Sequence, residues 1–356
     1  MSEVRAKKAL GQHFLVDLNI ARKICDALSG GVRPEAGAET RAVAAGSADA
    51  DAETRTRVAG YAGAGAEART MAAGSADAGA EARTKATGTA DADAETRRGV
   101  AASADARLAA HTTAAGAPAA AEEERGGAVP CDVLEVGCGM GVLTQFLLRR
   151  GDITTYGAEI DPESVEYLHA HFPEFAPRLI EGDFLKMNLR ERFPRGLKII
   201  GNFPYNISSQ IFFKVLEHRD LVPECVGMIQ KEVAVRIAEP PGSKEYGILS
   251  VLLQAWYDIE YLFTVNETVF NPPPKVKSAV IRLRRNSVGR LGCDEALFVK
   301  VVKASFGQRR KMIRNSLRTV FGDFGGAEHP FFTQRAEQLS VADFVQLTNW
   351  VAANRK

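Results

Sequence analysis

The chain has 356 residues, with 45 Lys and Arg against 44 Asp and Glu, five Cys and 46% hydrophobic residues. That length accommodates two domains. No run of about 18 apolar residues offers a membrane span, and the N-terminus MSEVRAKKALGQHF lacks the apolar stretch of a secretory signal. Cys25, Cys131, Cys138, Cys225 and Cys293 form no CxxC pair and have no histidine partners at zinc spacing. We therefore expect no metal and no disulfide framework, but free thiols in a reducing cytoplasm.

The net charge of +1 conceals an uneven distribution. Residues 128–274 carry 13 basic and 20 acidic side chains, whereas residues 275–356 carry 16 and 6. A basic block attached to an acidic one points to a polyanionic partner such as nucleic acid.

In chain order, the first expected element is a helix over Leu18–Leu28. The composition then changes. Residues 37–127 contain no Ile, Phe, Trp or Cys and only one Leu, Leu108. Four 14-residue repeats begin at Gly46, Gly60, Gly74 and Gly88, with Glu and Arg recurring at fixed places, as in GSADADAETRTRVA. Two heptads suggest a coiled coil, but its core positions would hold Ala, Gly and Thr. Too little apolar surface is present to offset the entropy of ordering such a segment. The segment is expected to be an insertion, disordered or transiently helical, in a surface loop. Loop-closure entropy grows only logarithmically with length, so such an insertion is tolerable.

Beyond it, CDVLEV (Cys131–Val136) reads as a buried strand followed by GCGMG, and Val142–Arg150 as a helix. Ile153–Ile160 and Arg178–Glu181 read as strands, with a helix over Pro162–His171 whose proline suits a first turn. Strands are expected at Leu197–Gly201, Cys225–Gln230 and Val276–Leu283, with a helix over Ser208–Glu217. Strands alternating with helices indicate a parallel α/β sheet. From about Asp294 the pattern is helical and basic. The expected organisation is an α/β domain (1–36 and 128–288), the insertion (37–127) and a small helical RNA-binding domain (289–356).

The chemistry gathers at strand ends. Gly137, Gly139 and Gly141 after a strand let the backbone turn tightly and approach a ligand, although such a turn can serve packing alone. Glu159 ends the second strand, where a carboxylate can accept from both hydroxyls of a ribose. Asp183 ends the third, where a carboxylate can accept from an adenine amino group. Both acids could equally be helix N-caps. No Lys or Arg sits in the glycine turn and no GxxxxGK[ST] loop exists. The pocket therefore suits a nucleoside without a pyrophosphate, such as S-adenosylmethionine. Asn202-Phe-Pro-Tyr205 carries the sharpest signal. The Asn202 side-chain oxygen and a carbonyl held by the Pro204 turn can accept both N–H groups of an exocyclic amine, while Tyr205 stacks on its base. The bland alternative is a β-turn with an aromatic plug.

GQHFL (11–15), EVGCGMG (135–141), EID (159–161), GDF (182–184), NFPYNIS (202–208), QKEVAVRI (230–237), FNPPPKVKSAV (270–280) and FGQRRKMIRNSL (306–317) occur in one order. Over about 1–34 and 128–356 the sequence resembles the bacterial small-subunit (16S) rRNA adenine N6,N6-dimethyltransferases. The resemblance implies a Rossmann-like class I methyltransferase domain with a small helical C-terminal domain. It also implies methyl transfer from S-adenosylmethionine to two adjacent adenines near the 3′ end of 16S rRNA, by a cytoplasmic monomer acting in small-subunit maturation. His13 and Leu15 would cover the methionine end of the cofactor, Gly137 and Gly139 form its glycine turn, Glu159 meet the ribose and Asp183 the adenine. Asn202 would also border the cofactor, and with Pro204 and Tyr205 it would form the target-amine site, with Phe270 as the second face of a base sandwich. His13 stands where many relatives carry Asn, and the repeat insertion departs from the family.

Lys275 and Lys277, with Arg282, Arg284 and Arg285, form one basic cluster. Arg309, Arg310, Lys311, Arg314 and Arg318 form another on an expected helix. Both would contact RNA phosphates, or be merely solvated faces. The alternatives are a 23S rRNA adenine N6-methyltransferase conferring macrolide resistance, a non-catalytic ribosome-assembly factor, and a DNA adenine methyltransferase. The last usually carries an NPPY-type motif and a target-recognition domain.

Overall fold

The computed structural model describes residues 7, 10–30 and 130–355, all of which belong to one compact unit. The repeat insertion 37–127 lies outside the described residues.

The strands are β1 (Phe14–Leu15), β2 (Cys131–Val136), β3 (Ile153–Glu159), β4 (Leu179–Glu181), β5 (Lys198–Asn202), β6 (Glu224–Gln230), β7 (Tyr257–Val265), β8 (Phe270–Asn271) and β9 (Ser278–Arg285). The helices are α1 (Leu18–Ala27), α2 (Thr144–Leu147), α3 (Pro162–His171), α4 (Leu189–Arg192), α5 (Ser208–Glu217), α6 (Lys231–Ala238), α7 (Ile248–Gln254), α8 (Glu295–Gly307), α9 (Ile313–Phe321) and α10 (Val341–Asn354). Seven strands form one sheet in the order β4-β3-β2-β5-β6-β9-β7, and β1 pairs with β8 in a separate ribbon.

Every residue of β2 is buried, as a central strand covered on both faces demands, including the acidic Asp132 and Glu135 among its apolar residues. From β2 the chain order runs outward in both directions, to β3 and β4 on one side and to β5 and β6 on the other. Such a reversal opens a crevice at the carboxyl ends of the strands, where ligands bind in open α/β sheets.

Local chemistry sets the helix starts. Asp161 caps α3 by accepting from the Glu163 N–H, ahead of Pro162 in the first turn. Asp294 caps α8 through the Leu297 N–H. Ser340 and Asp343 cap α10 reciprocally. One buried cluster runs from Leu134 and Ile199 on the sheet to Phe298 on α8, Leu317 on α9 and Phe344 on α10. A second joins α1 to the opposite side of the sheet through Ile24, Val133, Ile200 and Val280.

Three expectations require correction. The sheet is parallel only from β4 to β6. β9 runs antiparallel to both β6 and β7, because the chain passes from β7 to β9 without the crossover helix that a parallel pair needs. The helix expected over Val142–Arg150 shrinks to α2. The Gly141 N–H closes a turn on the Cys138 carbonyl, and Gly151 follows too soon for more than one turn. Finally, α8 ends at Gly307, so Arg309, Arg310 and Lys311 lie on the turn between α8 and α9. Only Arg314 and Arg318 of that cluster are helical.

Candidate active site

The crevice at the carboxyl edge is lined by residues 10–15 of the N-terminal segment, by Gly137, Cys138 and Gly139, by Glu159, by Asp183 and by residues 202–207. Five separate motifs of the sequence thus meet in one pocket. Gly137, Gly139 and Gly141 all adopt positive φ (76°, 54° and 74°), where a Cβ is strongly disfavoured. A side chain at Gly139 would also press within 3.2 Å of the Phe14 ring.

Glu159 is 4% exposed. Its Oε2 accepts from the Gly139 N–H (2.8 Å), and its Oε1 from the N–H groups of Ile160 and Asp161 (2.9 Å each). The carboxylate thus ties the end of β3 to the glycine turn and still has lone-pair directions for hydroxyl donors. Burial raises its pKa, and the three N–H groups oppose that rise. Asp183 does cap a short 3₁₀ turn, accepting from the Leu185 N–H at 2.9 Å, and it lines the pocket as well. The cap of α3 is Asp161 rather than Glu159.

The Asn202–Tyr205 turn is held from three sides. The Phe203 N–H donates to the Met228 carbonyl (3.0 Å). Its ring sinks between β5 and β6 at 1% exposure, into space left by Gly201 and Gly227, which are register partners. A Cβ at either glycine would come within 2.8 Å and 2.4 Å of that ring, respectively. Burying such a ring contributes about 2–3 kcal/mol, and here it also fixes the turn. The Asn202 Nδ2 donates to the His13 carbonyl (3.0 Å), which orients the amide so that Oδ1 is the free acceptor; no described residue donates to it. The Tyr205 hydroxyl is joined to Ser278 Oγ at 2.6 Å. Its ring lies 5.4 Å from that of His13, tilted by 33°.

Leu15 is buried in β1, and His13 Nδ1 lies 2.9 Å from the Pro272 carbonyl. Phe270 does not reach the pocket. Pairing of Phe14–Leu15 with Phe270–Asn271 leaves the Phe270 side chain 4% exposed, in the same buried cluster as Leu15, Val265 and Val280. The base sandwich expected from Tyr205 and Phe270 is therefore not assembled in this structure.

The basic clusters divide. Lys275, Lys277, Arg309, Arg310 and Lys311 are exposed, and Arg309 also donates to the Tyr246 carbonyl at 3.2 Å. Arg282 instead pairs with Glu260 and donates to the Ala27 carbonyl. Arg284 lies near Glu224 and Glu260. Arg285 donates to the carbonyls of Trp256 and Val288. Arg314 pairs with Glu328 over the Phe332 ring.

Sequence reasoning missed Phe14, Ser278 and Asp161 as parts of the site. Phe14 stood inside the quoted GQHFL motif but carried no polar group to attract attention. Ser278 and Asp161 act through partners more than 70 residues away in the chain, and no local pattern reports such contacts.

The lining residues suit a cationic nucleoside donor. Two carboxylates face the pocket, and no Lys or Arg is among the described lining residues. A phosphate-rich ligand would be repelled, whereas a group bearing ribose hydroxyls, an amine and a sulfonium finds acceptors.

The profile of a family described as Ribosomal RNA adenine dimethylase matches residues 130–353. The chain is 61% identical over 218 residues to the Ribosomal RNA small subunit methyltransferase A of Parabacteroides distasonis, covering 61% of this chain and 81% of that protein. It is 60% identical over 221 residues to the protein of the same name from Bacteroides thetaiotaomicron, covering 62% and 82%. Among solved structures it resembles a dimethyladenosine transferase from Plasmodium falciparum, at 26% identity and a TM-score of 0.52 over 63% of this chain and 90% of that one.

Proposed function

Because the chain belongs to the ribosomal RNA adenine dimethylase family, we propose a residue-level mechanism for its pocket. The protein is an S-adenosylmethionine-dependent methyltransferase of small-subunit rRNA that modifies N6 of adenine. The names of the relatives at 60–61% identity favour the small subunit over the 23S alternative.

S-adenosylmethionine supplies an electrophilic methyl group whose departure leaves a neutral thioether, so no strong acid is required. Adenine N6 is a poor nucleophile because its lone pair is delocalised into the ring. Asn202 Oδ1, held outward by the His13 carbonyl, accepts one N6 hydrogen. The Pro204 carbonyl already accepts from the Ile207 N–H at 3.2 Å, so the Phe203 carbonyl is the better second acceptor. Two fixed acceptors favour the geometry that frees the lone pair, and the remaining gain is positioning for in-line displacement. Tyr205, tethered by Ser278, offers the stacking face. Phe270 joins it only if RNA binding remodels β8. Glu159 accepts from the ribose, Asp183 from the adenine amine of the cofactor, and Gly137 and Gly139 allow close approach of the backbone. His13 and Leu15 belong to the segment closing the methionine end.

The exposed Lys275 and Lys277 ahead of β9, and Arg309, Arg310 and Lys311 on the α8–α9 turn, supply phosphate contacts. Arg314 has a structural partner and contributes less. The substrate in this reading is a pair of adjacent adenines near the 3′ end of 16S rRNA in the small subunit. Looped, unpaired adenines spare the cost of opening a duplex. All pocket parts come from one chain, which suits a monomer working in the cytoplasm. The division into a methyltransferase domain ending near residue 288 and a helical domain from 289 fits the gap between β9 and α8.

The carrying observation is Asn202, oriented by the His13 carbonyl at the end of β5 in a pocket with two carboxylates. Incubation with labelled S-adenosylmethionine and both ribosomal subunits tests the reading. Label should enter 16S rRNA, and mass spectrometry should find it on adenine N6. Label confined to 23S rRNA would overturn it.

A further inference from the structure

The N-terminal segment ending at β1 forms one wall of the pocket, and its two halves are secured differently. The half at His13–Leu15 is held by β1–β8 pairing and by the His13 contact with Pro272. In the other half, the described residues Lys7 and 10–12 form no such ribbon. Lys7 and Gln12 are attached instead to the start of α3, both of them to Asp161, which is fully buried. Lys7 Nζ pairs with Asp161 Oδ1, and Gln12 Nε2 donates to Asp161 Oδ2 at 3.2 Å. The Lys7 N–H in turn donates to Gln12 Oε1 at 2.8 Å. Lys7 also reaches Glu163 at 3.0 Å. Between the two halves, Gly11 has a φ of 64° and abuts Asn206, whose Oδ1 lies 2.7 Å from where a Cβ would stand.

Asp161 does not line the pocket, although its neighbours Glu159 and Ile160 do. Capping α3 needs only one oxygen, and an asparagine would cap equally well. Capping therefore does not account for a buried carboxylate paired with a lysine. We propose that Asp161 is a positioning residue, a latch through which Lys7 and Gln12 hold the N-terminal strap across the cofactor. The idea rests on the methyltransferase reading and extends it to the retention and exchange of the cofactor.

The division of the strap makes the consequence specific. Releasing the latch frees Lys7 and residues 10–12 but leaves His13 held by its contact with Pro272 and by the ribbon that begins at Phe14, so Asn202 keeps its orienting carbonyl. The cofactor should then bind less tightly and leave faster, while the methyl-transfer step at saturation stays near normal. The enzyme needs a fresh donor for each methyl group, so a wall that opens on one side suits repeated exchange.

The experiment uses the full-length protein, with S-adenosylhomocysteine as the probe in calorimetry and stopped-flow dissociation and S-adenosylmethionine in steady-state assays. Lys7→Gln and Asp161→Asn should each raise Kd and KM for the cofactor about five- to tenfold, with kcat changed less than about twofold. Lys7→Arg should restore binding to within about twofold. The effects of the two singles should fall well short of multiplying in the double variant, because both changes break the shared Lys7–Asp161 pair. Unchanged affinity in Lys7→Gln, or single effects that multiply in the double, would overturn the latch. Lys7 is partly exposed, so its variant carries the test even if Asp161→Asn misfolds. Wild-type protein that bound no S-adenosylhomocysteine would overturn the methyltransferase reading and the latch with it, whereas normal wild-type binding with unaffected variants would overturn the latch alone.

Discussion

Strand β5 begins with Lys198 and ends with Asn202, and its two ends follow opposite designs. At the amino end, Lys198 Nζ reaches Glu224 (3.1 Å), Ser29 Oγ (2.6 Å) and the carbonyls of Ser29 and Gly30 (3.0 Å each). Glu224 also accepts from the Ser29 N–H and hydroxyl. Arg150 closes the same corner by donating to the carbonyls of Cys25, Leu28 and Ser29. Burial alone would raise the Glu224 pKa, but Ser29 and Lys198 outweigh it and hold the carboxyl below its ordinary value. At the carboxyl end, an acceptor is left over: Asn202 Oδ1 has no donor among the described residues. Glu135, the penultimate residue of β2, is fully buried and does not line the pocket; Thr144 donates to its Oε2 at 2.6 Å, and its Oε1 has no partner among the described residues. A buried polar network that satisfies itself stabilises a fold, and one with spare capacity on a cavity wall is available to a ligand.

The largest effect should follow from removing the free acceptor. Asn202→Ala is expected to lower kcat about a thousandfold, roughly 4 kcal/mol, the scale of losing one preorganised polar contact to the transition state. Single-turnover methylation of small subunits measures it. Next comes the satisfied end. Lys198→Ala strips Glu224 of its main cationic partner and should cost about 3 kcal/mol of stability in urea unfolding, while KM for the cofactor stays unchanged. A shift in KM there would blur the distinction between the two ends.

The smallest effect concerns Glu135, whose pKa burial pushes up to about 8. A carboxyl with a raised folded pKa binds more protons folded than unfolded. Its stability contribution is complete below the unfolded value and is lost as pH climbs through 8. Wild-type stability should therefore fall by roughly 2 kcal/mol between about pH 6 and pH 8 from this group alone. Glu135→Gln should flatten that decline in thermal unfolding. An identical pH profile in the variant would mean that the carboxyl is not held neutral.

Much of this arrangement could be read from sequence. The strands β2, β3 and β5 announced themselves as short strand-like stretches running into Gly or an acid. Helix α3 followed directly from Asp161-Pro162. The pocket residues His13, Gly137, Glu159, Asp183 and Asn202 do converge. What escaped had physical causes. Strand β7 was not anticipated at all, and β9, read as one more strand of a parallel sheet, runs antiparallel because the short connection from β7 leaves no room for a crossover helix. Phe270 entered the site through the resemblance alone, and pairing with β1 turns it inward. Arg282 and Arg285 looked like RNA contacts because nothing local shows that carbonyls and Glu260 already occupy them. The turn at 308–312 continued the helical pattern of its neighbours.

The most direct test of the central claim is calorimetric titration of the wild-type chain and the Asn202→Ala variant with S-adenosylhomocysteine. A pocket whose cofactor half is separate from its target-amine half predicts one-to-one binding in both, with affinities within about threefold. Absence of binding to the wild-type protein would contradict the account, as would a variant that lost the cofactor along with the reaction.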